Sequence, residues 1–73
     1  MKIDQLQQKI GSRIRMLRES KGISQQTLAA ICNFEKTNMS RIEAGRTNPT
    51  ISTLYKISQA LDVTISELVD IEG

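Results

Sequence analysis

The sequence of 73 residues has no histidine, one cysteine, one proline and two aromatic residues. Without histidine, Ser-His-Asp and Cys-His catalysis are excluded, and the commonest general base and the usual zinc ligand sets are missing. Because Cys32 is alone, it forms no internal disulfide, and we interpret it as a small buried hydrophobe. The sequence also lacks a glycine-rich phosphate loop and an acidic metal cluster. We therefore expect no enzymatic activity, no metal and no cofactor.

Long apolar runs are absent as well. No stretch approaches the roughly 20 residues that span a membrane, and the first residues lack the apolar core of a secretory signal. We therefore expect a cytoplasmic protein that has no membrane partner. The length predicts a single domain over residues 1–73, which buries about 60% of its unfolded surface. Because glycine, proline, valine and aromatic residues are scarce, the composition favours an all-α fold over a sheet.

The net charge of +2 is distributed unevenly along the chain. Residues 1–61 carry ten lysines or arginines and four acids, a net charge of +6, whereas residues 62–73 carry four acids and no cation. A polyanion would bind to the first part and be repelled by the second. Small domains also show such gradients by chance, so the charge pattern alone does not decide the function.

Apolar spacing and capping residues predict five helices, at about residues 3–20, 24–31, 35–44, 50–61 and 64–69. The first has a one-sided apolar stripe made of Ile3, Leu6, Ile10, Ile14 and Leu17. Gly11 weakens its middle by roughly 1 kcal/mol relative to alanine, so a start near Leu6 is an alternative. Ser24, Thr50 and Thr64 are the predicted N-caps of later helices, and Thr64 forms a capping box with Glu67.

Helices 2 and 3 are joined by a tight turn, where Asn33 tolerates a left-handed backbone, and Gly45 ends helix 3. The predicted core residues of helices 2, 3 and 4 are Leu28, Ala29, Ile31, Met39, Ile42, Ile51, Leu54, Ile57 and Leu61. The outward face of helix 3 carries the hydrogen-bonding residues Lys36, Thr37, Asn38, Ser40 and Arg41. Such a face suits the DNA major groove, although an ordinary solvated face is the alternative.

The ordered set of motifs resembles the helix-turn-helix family of phage Cro and lambda-type repressors. The residues that carry this resemblance are Ile14-Arg15, Leu17-Arg18, Gly22, Ser24-Gln25-Gln26, Leu28-Ala29, Met39-Ser40-Arg41-Ile42-Glu43-Ala44-Gly45, Asn48-Pro49-Thr50, Thr53-Leu54, Lys56-Ile57 and Ala60-Leu61-Asp62-Val63. The chain departs from the family at Asn33, Phe34 and Glu35, where glycine, a small β-branched residue and serine or threonine are usual. The negative charge of Glu35 suits the helix dipole but repels a phosphate.

The resemblance implies a compact five-helix fold in which helix 3 is the recognition helix. It implies that Lys36, Thr37 and Arg41 read bases, with Asn38 and Ser40 as flanking contacts to bases or phosphates. It also implies an ion pair between Arg18 and Glu43 that locks helix 1 against helix 3. By their positions, Gln25 at the start of helix 2 and Arg46, Thr47 and Asn48 after helix 3 are candidates for the DNA backbone. Simple polar surface positions are the alternative for these four.

Helix 5 has many apolar residues for its length, namely Ile65, Leu68, Val69 and Ile71. Some must close the core, and the remainder is a candidate two-fold dimer contact, as in similar proteins. We therefore expect a homodimer that binds double-stranded DNA and regulates transcription, most simply as a repressor at a near-palindromic operator. The alternative is a protein-interaction module, such as an antitoxin or an adaptor that contacts RNA polymerase.

Overall fold

In the computed structural model, which describes residues 1–71, every regular element is a helix. In chain order the helices are α1 (Ile3–Ser20), α2 (Gln25–Cys32), α3 (Lys36–Glu43), α4 (Ile51–Leu61) and α5 (Ile65–Leu68). The described residues contain no strand, and the predicted all-α fold of five helices is confirmed. The alternative start of the first helix near Leu6 is wrong, because α1 begins at Ile3. Glu72, one of the tail acids, lies outside the described residues.

Three helices begin at the hydroxyl residues that the sequence predicts. The side-chain oxygens of Ser24, Thr50 and Thr64 accept hydrogen bonds from backbone N–H groups three residues later, at distances of 3.0–3.1 Å. At α5 the carboxylate of Glu67 also accepts a hydrogen bond from the backbone N–H of Thr64, at 3.0 Å. These bonds satisfy N–H groups that the helix itself leaves free, and they confirm the predicted caps and capping box.

Left-handed residues redirect the chain after the helices. Asn33 has φ of 59°, which confirms the predicted turn between α2 and α3. At the end of α3, Gly45 has φ of +73°. The backbone N–H of Arg46 donates to the carbonyl of Arg41 at 3.0 Å, and that of Gly45 donates to Ile42 at 3.1 Å. This double hydrogen bond is the Schellman arrangement, and it fixes where the chain leaves α3.

The hydrophobic core is formed by side chains from one face of each helix. Its buried members are Ile14, Leu28, Ala29, Cys32, Met39, Ile42, Ile57, Leu61 and Leu68. The burial of Met39, Ile42 and Cys32 confirms their prediction as core residues. Burying a leucine or isoleucine side chain contributes roughly 1.5–3 kcal/mol, so burial of this set stabilises the packing of the helices.

Two predicted core positions, Ile31 and Ile51, are wrong, and Ile3 of the predicted apolar stripe of the first helix is exposed as well. Ile3, Ile31 and Ile51 have exposed fractions of 60%, 57% and 81%. Each residue of an α-helix is rotated by about 100° from the one before it. By this rotation, Ile31 points about 100° away from the centre of the buried face of α2. Ile3 and Ile51 belong to the first turns of α1 and α4, and the residues of these helices that pack on the core begin only at Ile10 and Leu54.

Gly11 lies where α1 approaches the end of α3. A Cβ atom at Gly11 would be 2.5 Å from the carbonyl oxygen of Ile42 and 2.6 Å from that of Glu43. Since real Cβ atoms essentially never come so close to backbone, the absence of a side chain permits this contact. Gly11 therefore sets the distance between α1 and α3, beyond the local weakening predicted from its helix propensity.

Candidate nucleic-acid interface

The eight-residue helix α3 is held by one face and free on the other. Met39 and Ile42 are buried in the core, and the carboxylate of Glu43 is buried against α1. The candidate DNA-contacting residues Lys36, Thr37, Asn38, Ser40 and Arg41 are all exposed. Within residues 1–71, no hydrogen bond or ion pair restrains these five side chains. The face is therefore available to a partner along the whole length of α3.

Helix geometry arranges four of these side chains on one arc. At about 100° per residue, Lys36, Ser40, Thr37 and Arg41 follow one another around α3 within about 140°. Asn38 lies about 60° beyond Arg41 on the same scale. The structure thus brings the three predicted base-reading residues together. It also places Ser40 between Lys36 and Thr37, whereas Ser40 was expected to flank the base-reading residues.

A buried charge network joins α3 to α1 and α2. The Nε atom of Arg18 donates to Glu43 Oε2 at 2.7 Å, and Nη2 donates to Oε1 at 3.0 Å. The Nη1 atom of Arg18 donates to the backbone carbonyl of Ile23 at 2.8 Å. The hydrogen bond to Glu43 raises the pKa of Arg18, and burial offsets part of that rise. Arg18 and Glu43 are 9% and 7% exposed, so the pair is shielded from solvent.

Gln25 takes part in the same network. Its Nε2 atom donates to Glu43 Oε1 at 3.1 Å. One amide hydrogen of Gln25 is thereby used to brace α3, while the second amide hydrogen and the backbone N–H at the start of α2 remain as donors. Gln25 is a predicted contact to the DNA backbone, and the structure adds this contact with Glu43. Gln25 and Glu43 are 18 residues apart in the chain, so no local sequence pattern predicts this contact.

The loop after α3 starts from the fixed exit at Gly45. Arg46 and Asn48 are exposed, and Thr47 is half-buried. A Cβ atom at Gly45 would lie 2.6 Å from the Cα atom of Gln8, so the loop starts in close contact with α1. The three candidate backbone-contacting residues therefore lie next to the C-terminal end of α3, on the same chain segment.

The candidate dimer residues do not share one environment. Leu68 has no exposed surface and is part of the core, so it cannot form a surface contact. Ile65, Val69 and Ile71 are each partly exposed. They lie in the acidic C-terminal segment, where the Nε atom of Arg13 also donates to the backbone carbonyl of Glu67 at 2.9 Å. The candidates that remain are the partly exposed residues Ile65, Val69 and Ile71, which we call the apolar patch.

The described part of the chain offers neither a metal site nor a reactive cysteine. Residues 1–71 contain no group of three or more histidine, cysteine or acidic side chains that could hold a metal ion. Burial raises the pKa of the Cys32 thiol, although Lys56 nearby lowers it in part. A protonated, buried thiol is a poor nucleophile. Among residues 1–71, none of the helices combines the length and the hydropathy of a membrane-spanning segment.

The sequence profile of the helix-turn-helix family matches residues 14–68 of the chain. The uncharacterized HTH-type transcriptional regulator y4dJ of Sinorhizobium fredii is 43% identical over 60 residues, which cover 82% of this chain and 78% of that protein. The HTH-type transcriptional regulator SinR of Bacillus subtilis is 42% identical over 62 residues, which cover 84% of this chain and 56% of SinR. The chain thus spans little more than half of that relative.

Solved structures share the arrangement of the helices. The restriction-modification controller protein C.AhdI of Aeromonas hydrophila matches with a TM-score of 0.81 and 36% identity, over 84% of this chain and 92% of that one. The master regulator for biofilm formation SinR, crystallised in complex with DNA, matches with a TM-score of 0.77 and 42% identity, over 84% of this chain and 98% of that one. The fold and the sequence therefore point to the same group of proteins.

Proposed function

The chain belongs to the Cro/C1-type helix-turn-helix family, as the sequence motifs predicted, and from this premise we propose that it is a sequence-specific regulator of transcription that binds double-stranded DNA. It binds a near-palindromic operator as a homodimer and acts as a repressor by occupying a promoter. The observation that carries this proposal is the exposed, unrestrained polar face of α3, whose opposite face is locked into the core and to Arg18.

Within this proposal α3 lies in the major groove. Arg41 and Lys36 pair with guanine, and Thr37 contacts a thymine methyl group or a neighbouring base edge. Ser40, in the middle of the arc, and Asn38, at its edge, contact bases or phosphates. Gln25, Arg46, Thr47 and Asn48 hold the DNA backbone on either side. These phosphate contacts supply affinity and salt dependence, and the α3 face supplies sequence preference.

The test is selection of bound sites from random duplex DNA, followed by affinity measurements as a function of salt. We expect an enriched near-palindrome with half-sites about 34 Å apart, one turn of DNA, and affinity that falls steeply with salt. Weak binding with no enriched site would overturn the proposal. The remaining interpretation would then be a protein-interaction module of the antitoxin or polymerase-adaptor kind.

Two matched variants separate base readout from backbone contact. Arg41→Ala should cost roughly 1–3 kcal/mol of binding free energy and relax the preference at one base pair. Arg46→Ala should weaken binding equally for all sequences and reduce the salt slope by about one unit. Binding assays on a panel of single-base operator variants distinguish the two. If Arg41→Ala weakens every sequence equally, Arg41 is a phosphate contact and the assignment of base readout is wrong.

A further inference from the structure

A polar cleft lies between α1, the start of α2 and the end of α3. Its lining consists of Arg15, Arg18, Gln25, Glu43 and Ala44. Arg18, Gln25 and Glu43 are hydrogen-bonded to one another, and Ala44 is the C-cap residue of α3. Arg15 is the second cation of the cleft, and its side chain is 64% exposed. The cleft thus presents one accessible positive charge beside the candidate DNA-binding elements.

Arg15 lies on the side of α1 that meets α3. Residues spaced by three or four share a helix face, and three positions on this face have known neighbours. Gln8 lies against Gly45, Gly11 lies against the carbonyls of Ile42 and Glu43, and Arg18 pairs with Glu43. Arg15 falls between Gly11 and Arg18 in this series. It therefore faces the C-terminal end of α3, where it shares the cleft with Glu43 and Ala44.

The present partner of Arg15 is weakly held. Its Nε atom is 3.4 Å from Glu19 Oε2, and the Glu19 side chain is 54% exposed. Exposed ion pairs at i and i+4 are screened by solvent and add little to stability. The corresponding distance in the buried pair of Arg18 and Glu43 is 2.7 Å. Arg15 can therefore exchange its partner for an external anion at small cost.

The three arginines of α1 have different roles in the fold. Arg18 is buried in the charge network, and Arg13 donates to the backbone carbonyl of Glu67 at 2.9 Å. Both hold other elements in place. Within residues 1–71, Arg15 bonds only to Glu19, one turn further along the same helix.

We propose that Arg15 binds a phosphate of the DNA backbone and that it leaves Glu19 when it does. This rests on the proposed DNA-binding function, and it extends the interface from the helix-turn-helix onto α1. Glu19 acts as an internal competitor for the same guanidinium. In the free protein, Glu19 partly neutralises the charge of Arg15. This weakens binding to DNA of any sequence. At the operator the other contacts hold the phosphate in place, so that Arg15 exchanges Glu19 for the phosphate.

The experiment measures affinity for the selected operator over a range of salt concentrations for the full chain and four variants. Arg15→Gln should lower the affinity roughly five- to ten-fold at 0.1 M salt and reduce the magnitude of the salt slope by about 0.9. Glu19→Gln should raise the affinity several-fold. In the double variant, Glu19→Gln should lose most of its effect, because the guanidinium it competes for is absent.

Lys21→Gln is the matched control, because it also removes one positive charge close to the end of α1. Lys21 interacts with Glu67 and does not line the cleft. Thermal unfolding of each variant verifies that it is folded. If Arg15→Gln affects affinity and salt slope no more than Lys21→Gln, or if Glu19→Gln raises affinity equally with and without Arg15, the proposal is wrong. Failure of the wild-type protein to bind any duplex with salt dependence would instead overturn the proposed function itself.

Discussion

At the scale of single residues, Glu43 joins α3 to two other helices. Its carboxylate accepts hydrogen bonds from Arg18 on α1 and from Gln25 on α2. No buried side-chain nitrogen or oxygen among the described residues lacks a hydrogen-bond partner. The network therefore meets the condition under which buried charges are tolerated, and it fixes the orientation of α3 relative to both neighbouring helices.

The first residue-scale prediction concerns this pair. Arg18→Met should lower the free energy of unfolding by about 3–5 kcal/mol, because it leaves the buried carboxylate of Glu43 without its cation. Combining it with Glu43→Leu should recover much of the loss, since both charges are then gone. Urea unfolding of the three proteins provides the measurement.

Arg15→Met is the control for the loss of an arginine, and we expect it to change the stability by less than about 0.5 kcal/mol. If Arg18→Met is no more destabilising than Arg15→Met, the buried pair does not stabilise the fold.

The second residue-scale prediction concerns Gly11. Alanine normally stabilises a helix relative to glycine by about 1 kcal/mol. Here the new Cβ would collide with two carbonyls of α3, so Gly11→Ala should instead destabilise the protein by about 1–3 kcal/mol. Thermal unfolding measures the sign. Ser12→Ala on the exposed face of α1 is the control and should be neutral or slightly stabilising, and a stabilising Gly11→Ala would show that α1 and α3 can separate at little cost.

At the scale of elements, α5 is a single turn that depends on its cap. Four residues are too few for a helix to be stable by itself. The backbone and side-chain hydrogen bonds from Thr64 hold the pKa of Glu67 below its usual value. A carboxylate with a lowered pKa stabilises the folded state above its usual pKa, and this contribution is lost as the pH falls through the lowered value.

The element-scale prediction follows from this sign. Stability should fall as the pH drops below about 4.5, the usual value for the carboxyl group, and Glu67→Gln should remove part of that fall while its amide oxygen keeps the bond to Thr64. Thr64→Ala should cost about 1 kcal/mol at neutral pH. Melting temperatures across the acid range provide the measurement. Asp70→Asn removes a nearby charge without the cap, and equal pH profiles for it and Glu67→Gln would contradict the assignment.

At the scale of the whole molecule, one chain is too small for the proposed operator. Its longest dimension is 31 Å, and α3, at about 1.5 Å per residue, is roughly 12 Å long. One copy therefore reaches one segment of the major groove, and reading half-sites one turn apart requires two copies. The partly exposed patch of Ile65, Val69 and Ile71 is the proposed contact between them.

The whole-molecule prediction is that Val69→Asp converts a dimer into a monomer, because a charge is then buried in an apolar contact. The mass in solution should halve by sedimentation equilibrium, and operator binding should weaken to that of a single half-site. Ile51→Asp is the control for an added charge at an exposed apolar residue, since Ile51 is 81% exposed on a different helix. If Ile51→Asp separates the copies and Val69→Asp does not, the dimer contact lies on α4 and not on the patch.

Local patterns in the sequence determine much of this protein. The five helices, the caps at Ser24, Thr50 and Thr64, and the turn at Asn33 follow from spacing and from hydrogen bonds that span a few residues. The polar face of α3 is likewise readable from the helical period. These features are predictable because the interacting groups are close together along the chain.

Only the tertiary structure decides which of those surfaces are covered. The period of α1, α2 and α4 does not reveal that Ile3, Ile31 and Ile51 remain exposed. Four residues of α5 are too few to show a helical period, so the sequence does not reveal that Leu68 is fully buried while Val69 is not. The contact of Gly11 with α3, the bond from Gln25 to Glu43 and the cleft position of Arg15 all join residues far apart in sequence. Such contacts depend on how whole helices pack, because a side chain is buried only where another element lies against it.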